Sequence, residues 1–118
     1  MQYPSVKRFL VMQRHILAFF HVMMEKVPFE DGCVLSAGVL PERIGSGFGV
    51  ILGALALDRV FTYEGLRVAT VVPANATAQR IASRLGFQLV GEHWVLSRDD
   101  WPGVFADEVL SRMQYARA

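Results

Sequence analysis

The residues Gly45-Ser46-Gly47-Phe48-Gly49 could do chemistry through their backbone. Glycine lets a chain turn tightly and lets a ligand approach the main chain closely. The next stretch, Val50 to Tyr63, has helical apolar spacing, with Leu52, Leu55, Ala56, Val60 and Phe61 on one face. A helix start offers unpaired N–H groups and the positive end of a dipole. Together the turn and helix start would suit a pyrophosphate. The loop lacks the Gly-Lys-Ser/Thr ending of an ATP-binding loop. Val50 also stands where a dinucleotide fingerprint needs a third glycine. Taken alone, such a glycine pair is more often a plain connecting turn.

Side chains offer fewer candidates. Glu25, Glu30, Asp31 and Glu42 flank the central strands and could serve as general bases, but solvated loop charge is the commoner role. Glu42 adjoins the anion loop. His15, His21 and His93 lack metal-ligand spacing, so no metal site is expected. His21 sits in an apolar run and reads as a packed or interface residue before a catalytic one. Cys33 reads as a small packed residue rather than a nucleophile. Trp94 and Trp101 read as packing or interface residues.

A chain of 118 residues fits one domain, 1–118. Hydrophobic residues make up 53% and charged residues 19%, an apolar balance that suits a tightly packed core or, more readily in a domain this small, a buried oligomer interface. A net charge of +1 gives no basis for electrostatic capture of nucleic acid. One cysteine can form neither an internal disulfide nor a thiolate metal site, so a cytoplasmic setting is expected. The apolar run Ile16 to Met24 follows Arg14-His15 but lacks a small-residue cleavage site. Such runs are too short to span a bilayer, and no membrane association is expected.

The elements that must position the loop follow from pattern. Phe9 to Gln13 and Ile16 to Glu25 are expected as two strands turning at Arg14-His15, although periodicity alone also allows one helix from Val6 to Met24. Val27 to Gly32 is a loop and Cys33 to Leu40 a strand ended by Pro41. Gly65 closes the first helix, Leu66 to Val72 is a strand, and Asn75 caps a helix from Ala76 to Leu85 that Gly86 ends. Phe87 to Leu96 is expected as one strand, bent at Gly91. Ser97 to Gly103 is turn-like, and Val104 to Met113 is a last strand or a short helix. This order gives an α/β layered domain: a mixed, mainly antiparallel sheet with flanking helices.

The run Val39-Leu40-Pro41-Glu42-Arg43-Ile44-Gly45-Ser46-Gly47-Phe48-Gly49 resembles the acetyl-coenzyme A loop of the GNAT N-acetyltransferase superfamily, written Q/R-x-x-G-x-G/A. Gly47 and Gly49 match its last two positions; Ile44 stands where Gln or Arg is usual. Leu57-Asp58-Arg59-Val60-Phe61 and Gly65-Leu66-Arg67-Val68 resemble the following helix end and strand. Val72-Pro73-Ala74-Asn75 and Leu85-Gly86-Phe87 resemble the P-x-N…L-G-F signature, and with Ile44 in place of Gln or Arg the chain resembles the ribosomal-protein N-terminal acetyltransferase branch. The resemblance implies a pyrophosphate on the amides of Ile44 to Val50 (Ile44, Gly45, Ser46, Gly47, Phe48, Gly49, Val50). It implies a pantetheine arm along the strand end at Val39 and Leu40, where that strand and Leu66 to Val72 lie side by side and splay, and Asn75 near the thioester. A charge introduced at Gly47 or Gly49 is then expected to repel the coenzyme while leaving the fold intact.

Two departures from the family pattern stand out. There is almost no room before Phe9 for the family's first strand and two helices. Positions that often carry the acid for the departing thiolate hold Ala82 and Ala78; Ser83 and Thr77 are nearby. The expected function is acetyl-coenzyme A-dependent transfer to a primary amine of a small molecule or a protein N-terminus. The alternative is a non-catalytic coenzyme-binding or interaction module. A homodimer is expected, with Ile16 to Glu25 or Val104 to Met113 at its interface and Phe19, Phe20, Met23 and Met24 as the exposed apolar cluster.

Overall fold

A computed structural model describes residues 6–12, 16–23, 32–39, 48–101 and 114–117. β1 (Val6–Met12) and β2 (Ile16–Met23) are antiparallel, and β3 (Gly32–Val39) runs antiparallel to β2. α1 (Phe48–Asp58) passes into a π-helical turn, Arg59–Tyr63, and the chain returns as β4 (Val68–Val71), parallel to β3. α2 (Ala76–Leu85) leads to β5 (Gln88–Val90) and β6 (His93–Ser97), with β6 antiparallel to β4. β7 (Gln114–Arg117) pairs antiparallel with β1. The sheet order is β5-β6-β4-β3-β2-β1-β7, and β3–β4 is its one parallel pair among the described residues. The mixed, mainly antiparallel sheet expected from pattern is what forms.

The crossovers β3-α1-β4 and β4-α2-β5 step the same way across the sheet. Right-handed connection therefore puts both helices on one face. Alternation does the rest: Phe9, Val11, Phe20, Val22, Cys33, Leu35, Ala69 and Leu96 point under the helices and are buried. Arg8, Leu10, Phe19, His21, Met23 and Val34 lie on the opposite face. α1 buries Leu52, Ala54, Leu55, Ala56 and Leu57, more of its surface than one amphipathic stripe, because it meets the sheet on one side and α2 on the other. α2 is amphipathic, with Ala82 and Leu85 buried and Gln79, Arg80, Ser83 and Arg84 exposed.

Several expectations are corrected. Phe87 to Leu96 is not one bent strand. Gly91 adopts φ +63°, and Val90 pairs with His93 across a two-residue hairpin turn. Phe20 is fully buried beneath the helices and stacks on Phe9 at 4.8 Å, so it has no surface to offer an interface. Phe19 remains on the open face, 42% exposed. β2 is an interior strand with no free edge, and the outer edge of β1 is paired with β7 over Phe9–Met12. β7 was not foreseen. Met24, the Arg14-His15 turn and Val104 to Met113 lie outside the described residues.

The π-turn fixes one end of the core. Glu64 N–H donates to the Arg59 carbonyl at 3.0 Å, and Leu66 N–H to that of Val60 at 3.0 Å. Gly65 takes the left-handed conformation, φ +68°, that ends the helix. The Glu64 carboxylate accepts from Lys7 Nζ at 2.7 Å and from the Arg59 guanidinium at 3.1 Å, while that guanidinium lies over the Phe9 ring at 4.8 Å. The hydrogen bond from Lys7, ahead of the Arg59 contacts, holds the Glu64 carboxyl below its usual range. A depressed carboxylate pKa gives stability that is present above the unfolded value, 4.5, and is lost as pH falls through the folded value. Glu64→Gln is therefore expected to be less stable than wild type at neutral pH. Urea melts should show the gap closing as the pH drops below 4.5.

Candidate functional site

β3 and β4 pair only from Gly32↔Val68 to Leu35↔Val71. Beyond that point β3 continues to Val39, while β4 ends and the chain leaves through Val72-Pro73-Ala74 into α2. Ser36 to Val39 thus keep β2 on one side and, among the described residues, have no strand on the other. Backbone groups on that side need a partner. A cleft of about 520 Å³ opens there. Its walls include Val34, Leu35, Ser36 and Ala37 from β3, and Ala78 and Ala82 from α2. Leu35 belongs to the helix-covered face and Val34 and Ser36 to the other, so the cleft passes between the strands and reaches both sides of the sheet.

The helices frame this gap through local sequence rules. Asn75 has extended backbone, and its Oδ1 accepts from Ala78 N–H at 2.9 Å. At the other end Gly86 takes φ +105°, with Phe87 N–H donating to the Ala82 carbonyl and Gly86 N–H to that of Ser83. α1 packs close to α2 because Gly49 and Gly53 leave room for Ile81 and Leu85. A Cβ at Gly49 would lie 2.7 Å from Ile81 Cδ1, and one at Gly53 would collide with the Leu85 side chain. Asn75→Ala is expected to lower stability by about 1 kcal/mol, as loss of an N-cap does. Chemical denaturation measures it.

The coenzyme residues expected from sequence divide three ways. Gly49 and Asn75, far apart in the chain, both line the cleft. Val39 ends β3, and Phe48 and Val50 belong to the first turn of α1. Leu40, Ile44, Gly45, Ser46 and Gly47 lie outside the described residues. Two of these residues also have structural duties. Asn75 has a structural duty as the cap, which occupies its carbonyl oxygen. Gly49 packs against α2, so a glutamate there would press on Ile81 as well as repel a phosphate, and an intact fold no longer follows.

Sequence reading missed most of the wall. Ser36 and Ala37, and the reason for the small residues Ala78 and Ala82, follow from β3 outrunning β4. No single-residue motif carries that signal. Ala78 and Ala82 line the cleft and bring no acid.

The remaining candidates separate clearly. The Cys33 thiol is buried beneath the helices, and burial, then the Glu64 charge, push it up to about 12. That excludes a thiolate nucleophile near neutrality. Thr70, also buried, donates its hydroxyl to the Cys33 carbonyl at 2.9 Å and ties β4 to β3 below the cleft. Trp94 and Trp101 pack against the core. His93 is exposed at the start of β6. His15, Glu25, Glu30, Asp31 and Glu42 lie outside the described residues. Among the described residues no cluster of His, Cys, Asp and Glu could hold a metal, and no helix is long and apolar enough to cross a membrane.

Neither protein-family models nor curated protein sequences match the chain. Solved structures do. The chain superposes on spermidine N-acetyltransferase from Vibrio cholerae in complex with CoA and spermine, with TM-score 0.72 and 20% identity over 81% of this chain and 68% of that one. The dodecameric structure of the same enzyme in an intermediate state gives TM-score 0.71 and 20% identity, over 80% of this chain and 66% of that one. The chain thus spans about two thirds of the length of these neighbours. At such identity the likeness establishes that this chain and these neighbours share a fold.

Proposed function

We propose that the chain is an acetyl-coenzyme A-dependent N-acetyltransferase of the GNAT superfamily acting on primary amines. The observation that carries this reading is the two-sided cleft where β3 and β4 part. Its volume falls within the roughly 300–1,000 Å³ usual for small-molecule sites. Backbone along Ser36 to Val39, which has no strand partner on that side among the described residues, suits the amides of a pantetheine arm, which can hydrogen-bond like an added strand. The start of α1 borders the same cleft at Gly49, and a helix start there would present its first amides to a pyrophosphate. In this reading Ile44 to Val50 hold the diphosphate, Val39 and Leu40 continue the pantetheine track, and the remaining amide group of Asn75 faces the thioester end.

A cleft open to both faces lets the thioester enter from the helix side and an amine from the open side. Attack of a neutral amine on the thioester carbonyl forms the C–N bond, and loss of thiolate completes the transfer. Positioning the two reactants supplies much of the rate. The solved neighbour holds spermine, which supports a small-amine acceptor here. Nothing in the comparisons favours the ribosomal-protein branch. A homodimer remains part of the proposal. The dodecameric neighbour supports self-association in kind.

One observation favours the alternative of a non-catalytic coenzyme-binding module. The cleft wall carries no titratable side chain among the described residues. A panel of amines, including spermidine, an arylamine and a peptide with a free N-terminus, separates the readings. Release of free coenzyme A thiol with any of them supports the enzyme. Tight coenzyme binding with no release across the panel supports the module.

A further inference from the structure

His21 is the titratable side chain that the fold brings next to the cleft. It pairs directly with Ser36 across β2 and β3, and Ser36 lines the cleft wall. Residues directly opposite in an antiparallel pair share a face, with Cβ atoms about 5 Å apart. That face is the open one, from which the amine would approach. His21 is half-buried there, held by the Phe19 ring at 5.2 Å between centroids.

Its neighbours are set up for a neutral imidazole. On the β1 side its direct partner is Arg8. Diagonal neighbours on β1 and β3 are Val6, Leu10, Val34 and Gly38, and none carries a titratable group. Partial burial, and then the Arg8 charge, hold the His21 pKa below its ordinary 6.5. An imidazole neutral at physiological pH can take up a proton.

We propose that His21 is the general base of the transfer, accepting the proton that the amine nitrogen sheds, with the Ser36 hydroxyl orienting the amine beside it. The inference rests on the acetyltransferase reading. In the step, the amine lone pair attacks the thioester carbonyl and the C–N bond forms. The C–S bond then breaks with its electron pair leaving on sulfur. The ammonium proton passes to the free ring nitrogen of His21, and water protonates the thiolate. Release of the histidine proton to solvent restores the base.

The test uses the full chain and the panel amine that it acetylates fastest. Wild-type kcat/KM should rise with pH through a limb centred below 6.5, separate from the limb at higher pH set by deprotonation of the amine itself. His21→Gln should lose that limb and fall on the order of 100-fold in kcat, while calorimetry shows unchanged acetyl-coenzyme A affinity. A His21→Gln protein with normal rate and the same limb would overturn the inference and leave the acetyltransferase reading standing. A second readout needs no variant: the His21 ring signals in NMR should shift when acetyl-coenzyme A is added. Ring signals that stay in place while the coenzyme binds would also overturn it. Failure of wild type to bind the coenzyme would remove both the function and its base.

Discussion

Ala78→Phe should abolish most acetyl-coenzyme A binding while the protein stays folded. Ala78 lies on the first turn of α2, half-exposed, with its side chain on the cleft wall. A phenyl ring there projects into space that a pantetheine arm would fill. The helix itself tolerates the change at a cost of about 0.5 kcal/mol in propensity. The N-cap also survives, because it uses the Ala78 amide and not its side chain. The expected loss is on the order of 100-fold in affinity, equivalent to about 3 kcal/mol. Calorimetry beside a thermal melt separates blocked binding from unfolding. Unchanged affinity in the folded variant would place the coenzyme elsewhere.

The second large effect is on stability. Phe20 is fully buried, stacked on Phe9 beneath α1, and Phe9 in turn carries the Arg59 guanidinium. Phe20→Ala removes the ring, opens a cavity and leaves both partners underpacked. Such truncations cost about 3–5 kcal/mol. Domains of this kind are stable by only about 5–15 kcal/mol, so the variant should sit near its unfolding threshold. Phe19→Ala, one residue away on the open face, should change stability far less. Urea titration of the two variants makes the comparison, and equal losses would contradict the assignment of faces.

That pair also shows what sequence could and could not give. Alternation along β1 and β2 reveals that one face is apolar. It does not say that Phe20 lies under a helix from Phe48 to Asp58 and Phe19 does not, because that depends on the handedness of a crossover much later in the chain. Local signals were legible where the physics is local. Asn75 as a cap, Gly86 and Gly65 as left-handed stops, and the two strands on either side of Arg14-His15 all follow from adjacent residues. Gly91 was read as a bend because a hairpin turn and a kink share the same residue, and only pairing of Val90 with His93 separates them. β7 escaped notice because four residues, Gln114 to Arg117, carry no alternation strong enough to mark a strand without β1 beside them.

The candidate site was half legible. Gly49 and Asn75, both singled out in the sequence, lie on the cleft wall. The cleft itself arises from unequal lengths of β3 and β4, a non-local fact. Gly49 illustrates the ambiguity of glycine: its small size serves close packing with Ile81 at the same place where a ligand would meet the helix start. His21 looked like a packed residue in an apolar strand until the register set it opposite Ser36.

The central claim is that the gap between β3 and β4 is an acetyl-coenzyme A site. Isothermal titration of the full chain with acetyl-coenzyme A, run in parallel on Ala78→Phe, tests it most directly. Saturable single-site binding to the wild type, lost in the folded variant, is the predicted result. No heat of binding to folded wild type, or equal affinity in both proteins, would contradict it.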